Sequence, residues 1–297
     1  MKKNILHMFS PQENVSPFDV NMAYDAGYDA IIPYTNVTLP DIKSLVQDAI
    51  FSRSLSNAKK TGVFICGKDV SLALDMMDSA KQSMVPPFEV SVFPDPAGSF
   101  TTAAAMVACT EKTLKDKFNT TLKDKEIAIY GGKGIVGGIS AVMCSEAGAH
   151  CKIIGYDGIS NVQKKADEYK KRFGVDVTPA DGSNDKLNSS YLPDAEIIFC
   201  AARAGTEVIN NEQIKLAKNA LVIADVNAVP PAGISGVKLK DDNTKHLCGA
   251  LSIGPLTSGD LKVKTQYKMF EKMCTTDKPL YLNFDEALNI AREILND

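Results

Sequence analysis

The stretch Ile127-Ala128-Ile129-Tyr130-Gly131-Gly132-Lys133-Gly134-Ile135-Val136-Gly137 limits the fold more than any other part of the chain. An apolar run of strand length ends in glycines, and an apolar stretch with helical spacing follows at once. Glycines at 132, 134 and 137, with Lys133, Ile135 and Val136 between them, form a G-x-G-x-x-G loop joining strand to helix. That context distinguishes a Rossmann-type dinucleotide loop from a glycine-rich turn without a ligand. Gly132 permits the tight turn, Gly134 lets backbone N–H groups approach a pyrophosphate, and Gly137 packs helix against strand. The helix N-terminus adds partial positive charge for the phosphates.

Short apolar runs alternate with helical patterns along the whole chain, which predicts an α/β fold built on parallel sheets. Strands are expected at 4–9, 30–33, 63–66 and 89–93. Helices are expected from Ser16-Pro17, with serine as cap and proline at the first helical position, across 42–50 and over 70–80. A long alanine-rich helix covers 98–117. After a polar connector, a second series predicts strands at 126–130, 151–154, 195–200 and 220–224, with helices over 135–147 and up to Phe173. Glycine and proline crowd 228–259, which reads as irregular. Two helices close the chain at 262–274 and 285–295, the second capped by Asp285. With 297 residues, a single core is too small for the chain. The expected domains are 1–120, a Rossmann domain over 121–260, and C-terminal helices over 261–297 that pack back on the first domain.

The strand at 151–154 runs into Gly155-Tyr156-Asp157. An acidic group at this place accepts a hydrogen bond from the adenosine ribose 2′-OH. It also repels a 2′-phosphate, by about 4 kcal/mol for unit charges roughly 4 Å apart at an effective dielectric of about 20. NAD is therefore favoured, with NADP open if Lys164 or Lys165 swings in to neutralise the carboxylate. The competing role for Asp157 is loop capping. Two further strand ends open onto the same crevice. Ala201, Ala202 and Arg203 let the chain pass close to a ribose. Asn227 offers an amide to the nicotinamide carboxamide, or else serves as a turn residue before Pro230-Pro231.

The formal net charge is −3, with dispersed lysines, so no nucleic-acid footprint is present. Seven cysteines, without any C-x-x-C, sit among apolar neighbours as buried thiols do in a reducing compartment. The apolar start, Met1 to Phe9, breaks at Ser10-Pro11 before it makes a leader, and no run reaches membrane length. A cytoplasmic protein is expected, with no metal and no membrane. There are three histidines. His150 lies behind the Rossmann helix, His7 inside a strand, and His246 near the irregular segment, so no acid–base residue is legible. One hydride transfer needs none. A carbon between two amine nitrogens releases hydride and leaves a stabilised amidinium, so the enzyme has mainly to align and to polarise.

Several blocks together resemble the NAD(P)-dependent methylene-tetrahydromethanopterin dehydrogenases of one-carbon metabolism. They are Pro17-Phe18-Asp19-Val20, Tyr34-Thr35-Asn36-Val37-Thr38, Asp95-Pro96-Ala97-Gly98-Ser99-Phe100-Thr101-Thr102, the glycine loop, Ala224-Asp225-Val226-Asn227-Ala228, and Gly249-Ala250-Leu251-Ser252-Ile253-Gly254. The resemblance implies a reduced pterin held in a cleft between two domains, facing the nicotinamide, in a homo-oligomer. It implies that Phe18 stacks on the pterin, that Asp19 accepts pterin N–H bonds, and that Ser99, Thr101 and Thr102 face the cleft. Read without it, Phe18 is core, Asp19 a first-turn carboxylate, and the three hydroxyls are helix caps. Two departures stand out. Tyr156-Asp157 replaces the basic residue of NADP-dependent members, and Pro255-Leu256-Thr257-Ser258-Gly259-Asp260 separates the Ile-Gly block from the next lysine. Lys262 is then the candidate for meeting the substrate's acidic side chain or polarising the site, or else a solvated lysine at a helix start. A methylene-tetrahydrofolate dehydrogenase and a non-catalytic dinucleotide or pterin sensor are the competing functions.

Overall fold

The computed structural model describes residues 3–297, so Met1 and Lys2 of the apolar start lie outside the described residues. Strand β1 (Ile5–Phe9) leads through helix α1 (Pro17–Asp25) to β2 (Ala30–Tyr34), and α2 (Ile42–Phe51) and the short α3 (Leu55–Ala58) lead to β3 (Thr61–Ile65). Helix α4 (Val70–Gln82), β4 (Ser91–Pro94) and the long α5 (Ser99–Phe118) follow. Proline opens α1 and Ser16 takes the cap position, although its hydroxyl makes no capping bond. Asp69 caps α4 through Leu72 N–H.

The chain then runs β5 (Glu126–Tyr130), α6 (Ile135–Glu146), β6 (His150–Gly155), α7 (Ile159–Phe173), β7 (Thr178–Asp181), α8 (Asp185–Ser190), β8 (Ile197–Cys200), α9 (Asn211–Ile214) and β9 (Val222–Asp225). It ends with β10 (Asp242–Lys245), β11 (Leu251–Ile253), α10 (Pro255–Thr275) and α11 (Phe284–Asn296). Contacts divide it into two compact units, one through Thr101 together with Val263–Ile294, the other Thr102–Lys262 with Leu295–Asp297.

The first unit is built on a four-stranded sheet in the order β2-β1-β3-β4, parallel throughout. Phe64, Phe93 and Phe270 pack ring against ring with centroids 5.1–5.3 Å apart, which ties β3 and β4 to α10. After α10, the backbone around Tyr281 lines the outer edge of β4, with Val92 N–H donating to Leu280 O and Leu282 N–H to Val92 O. Asn283, rather than the expected Asp285, caps α11 by accepting Asp285 N–H at 2.7 Å.

The second unit holds a seven-stranded sheet, β10-β11-β9-β8-β5-β6-β7, parallel except for the β10–β11 pair. Counted from β5, this is the doubly wound order, whose direction of growth reverses between β5 and β8. Two corrections to the sequence reading fall here. Strand β7 was not expected, because Thr178-Pro179-Ala180-Asp181 carries proline and little apolar content. It lies at a sheet edge, where proline costs no ladder bond. The segment expected to be irregular contributes β11 and the polar edge strand β10, an edge blunted by charge. Among the described residues no helix is long and apolar enough to cross a membrane.

His7 lies within β1 with Nδ1 3.2 Å from the Tyr34 hydroxyl. Burial and the nearby Arg53 charge hold it below the ordinary 6.5. His246 is held below 6.5 by burial. The unfolded chain then binds more protons than the folded one just below that pH, so stability is complete above it and falls as pH drops through the window. Urea midpoints should decrease from pH 7.5 to 5.5, and His7→Gln should lessen that decrease.

Candidate functional site

The glycine loop lies at the sheet's switch point, and it fits because side chains are absent. A Cβ on Gly131, whose φ is +77°, would stand 2.5 Å from Ala201 O, and one on Gly137 2.6 Å from Gly131 O. A Cβ on Gly132 would meet the Ile153 side chain at 2.6 Å. The loop after β5 therefore runs main chain against main chain with Ala201-Ala202 after β8. Gly134 takes the N-cap of α6 and offers no side-chain cap. The first-turn N–H groups of a helix have no intrahelical acceptor, so Ile135, Val136 and Gly137 present a cradle that fits a pyrophosphate. One residue further on, a Cβ on Gly138 would collide with the Tyr169 hydroxyl at 1.8 Å, and that hydroxyl reaches toward Gly132 O at 3.4 Å.

Asp157 stands just beyond the carboxyl end of β6, as the ribose position requires, but it is not alone. Lys133, from within the glycine loop, forms an ion pair with it and holds the carboxyl below the usual range. Neither Lys164 nor Lys165, the lysines expected to neutralise it, makes this contact. Lys165 pairs with Glu168 at 2.8 Å and lies over the Tyr169 ring. The Asp157 carbonyl accepts Asn161 Nδ2 at 3.0 Å, which fastens the turn to the start of α7.

Asn227, buried after β9, is engaged within its own turn. Its Oδ1 accepts Gly205 N–H at 3.2 Å and Val229 N–H at 3.0 Å, and its Nδ2 donates to Pro231 O at 2.9 Å. The amide takes part in building the turn. Asp225 does related work. Buried at 1% exposure, it accepts Asn227 N–H on Oδ1 at 2.8 Å and Ile234 N–H on Oδ2 at 2.9 Å. Burial still raises its carboxyl above the ordinary range. Arg203 is exposed and Ala201 and Ala202 are half-buried after β8.

In the first unit the carboxyl ends of β3 and β4 carry a buried polar cluster. Asp95, fully buried and unassigned by sequence reasoning, accepts Phe100 N–H at 2.8 Å and the Thr101 hydroxyl at 2.7 Å. The Thr101 hydroxyl is thus engaged by the Asp95 carboxylate, which props the start of α5. Ser99 is also fully buried, and its hydroxyl has no hydrogen-bond partner. Thr102 is half-buried. Ala97 adopts a left-handed φ of +49° in the turn between Asp95 and α5. Asp19, 4% exposed, accepts Gln266 Nε2 at 2.7 Å, a partner far along the sequence and invisible in it. Asp19 and Asp95 both raise the Cys66 thiol, although burial raises it more. Phe18 is 43% exposed and does not belong to the core. Helix α10 starts at Pro255, so Lys262 lies within the helix and not at its start.

His150 is exposed at the amino end of β6, opposite the loop. His246 is 6% exposed, and Nε2 lies 3.0 Å from Ser235 O, which only accepts, so Nε2 carries the proton. All seven cysteines are free thiols.

The strand order and the glycine loop at its switch point define a doubly wound, Rossmann-type protein. Shikimate 5-dehydrogenase from Listeria monocytogenes, solved with shikimate and NAD, shares the fold, with a TM-score of 0.54 at 12% identity over 99% of this chain and 96% of that one. Within this class, the family model described as methylene-tetrahydromethanopterin dehydrogenase, N-terminal, matches residues 17–97. The NAD(P)-dependent methylenetetrahydromethanopterin dehydrogenase of Methylorubrum extorquens strain AM1 is 46% identical over 295 residues, 99% of each chain. The protein of that organism called bifunctional protein MdtA is 30% identical over 99% of this chain and 100% of its own length. The chain belongs to the family of NAD(P)-dependent methylenetetrahydromethanopterin dehydrogenases.

Asp225→Asn should lower stability by about 1–3 kcal/mol, because an amide has one acceptor oxygen and its N–H₂ would face a buried N–H donor. Chemical denaturation at neutral pH measures this, and an unchanged midpoint would show that the carboxylate does not hold the loop.

Proposed function

We propose that this chain transfers a hydride from 5,10-methylene-tetrahydromethanopterin to NAD(P)+ and yields the 5,10-methenyl form. The observation that carries this is family membership from end to end, at 46% identity over 99% of the chain, with the glycine loop intact at the switch point. The C–H bond of the methylene carbon breaks, its electron pair leaves with the hydrogen, and the flanking nitrogens take up the positive charge. No proton needs a base, which agrees with the placement of the three histidines. The nicotinamide supplies the hydride-accepting carbon when bound.

The chain's own residues then have to bind and align. Gly132 and Gly134, with the first turn of α6, hold the pyrophosphate, and Asp157 accepts the ribose hydroxyl and favours NAD over NADP. Asp225 and Asn227 fix the chain after β9. On the substrate side, Phe18 stacks on the pterin and Asp19, oriented by Gln266, accepts pterin N–H bonds. Ser99 and Thr102 supply hydroxyls, and Lys262 meets the acidic tail. The protein acts in the cytoplasm as a homo-oligomer without a metal.

Incubation of each methylene pterin, tetrahydromethanopterin or tetrahydrofolate, with NAD or NADP should give reduced nicotinamide and the methenyl chromophore in equal amounts. Turnover is expected to be fastest with the methanopterin substrate and NAD. Failure of all four pairings would leave a non-catalytic sensor, and faster turnover of the folate would reassign the substrate. Asp157→Ala should shift the ratio of kcat/KM toward NADP.

A further inference from the structure

Lys133 sits inside the glycine loop, where a pyrophosphate cradle uses backbone groups and has no need of a side chain. Its own side chain does not point back into that loop. It runs across the end of β6, where Gly155 clears the way: a Cβ there would stand 2.9 Å from Lys133 Cδ and 3.5 Å from Asp157 Oδ1. The ammonium group at the end of this track pairs with the Asp157 carboxylate. The contact is accessible, with side-chain exposures of 28% for Lys133 and 36% for Asp157, so the lysine can change partner without leaving a charge buried. Lys165 is held elsewhere by Glu168.

We infer that Lys133 is the residue that admits a 2′-phosphate, exchanging its partner from Asp157 to the phosphate, and so sets how far NADP can replace NAD. This rests on the reading of the glycine loop and Asp157 as the dinucleotide site. With NAD, the lysine stays on Asp157 while the carboxylate also accepts the ribose hydroxyl. With NADP, the phosphate brings about two negative charges toward a carboxylate, and only a cation within reach of both makes the approach tolerable. The residue is a point charge on a long, flexible stem, suited to a change of partner. Asp157 and Lys133 then act as opposed halves of one selector.

The test uses the whole protein and reads binding as well as turnover. ADP-ribose and 2′-phospho-ADP-ribose are titrated by calorimetry into wild type, Lys133→Met, Lys133→Arg, Asp157→Asn and the Asp157→Asn/Lys133→Met double variant. Methionine keeps an unbranched stem over Gly155 and removes the charge. Lys133→Met should weaken the 2′-phosphorylated ligand relative to the other at least tenfold, and Lys133→Arg should retain most of its relative binding. Asp157→Asn should raise the ratio at least tenfold, and the second substitution should cancel most of that gain. In kinetics the change should fall on the KM for NADP rather than on kcat, and the NADP KM should rise more steeply with salt than the NAD KM. Equal weakening of both ligands by Lys133→Met would make Lys133 part of the pyrophosphate loop and overturn the inference, as would an unchanged ratio. If neither fragment binds wild type, the dinucleotide site itself is misplaced. If binding follows the expected pattern but no pterin is turned over, only the proposed reaction fails.

Discussion

The second unit depends on one close approach, that of the Gly131–Gly137 backbone to the backbone after β8. The atoms that would meet a Cβ there are mostly main-chain carbonyls and amides, at 2.5–3.1 Å for Gly131 and Gly137. A rotamer change cannot relieve such a contact, so the loop tolerates no side chains at these places. From this follow the packing of Ile153 on Gly132, the entry of α6 with its amide groups forward, and the smallness of Ala201 and Ala202. The shape of the loop is a consequence of what the sequence leaves out.

The two units also use a common device. Asp225 closes β9 and Asp95 follows β4, and each buried carboxylate gathers N–H groups from the chain just after its strand. A carboxylate with several such donors offsets part of its desolvation and fixes the loop to the sheet. Where chemistry rests on alignment and not on proton transfer, rigid loops at strand ends matter more than a reactive side chain. Burial, and then these neighbouring aspartates, raise the thiols of Cys66 and Cys200.

Most of the architecture was legible because buried parallel strands announce themselves. Val63-Phe64-Ile65 and Ile197-Ile198-Phe199 are apolar on both faces, and the glycine loop fixed where one of the sheets changes direction. The elements that escaped detection are those with weak local signals. Strands β7 and β10 are polar because sheet edges need little burial, and of α10 only the first turns, with their proline and internal glycine, went unseen. In the site, the residue types were legible but their partners were not. Nothing in the spacing links Asp19 to Gln266 or directs Lys133 to Asp157, because such pairs are set by tertiary packing. Asn227 and Thr101 show a related point, since a polar side chain near a strand end serves a turn as readily as a ligand.

The Tyr169 hydroxyl occupies the space in which a side chain at position 138 would lie. Helix α7 thus meets α6 through the tip of one ring, and the two positions are coupled. A lineage that enlarges residue 138 must first lose the tyrosine ring, whereas one that loses the ring leaves a gap beside Gly132 that a larger residue can then fill. The order of substitutions is constrained even where the end states are equally sound. Among relatives, an alanine or serine at 138 should accompany a smaller residue in place of Tyr169, as a paired signature of this history.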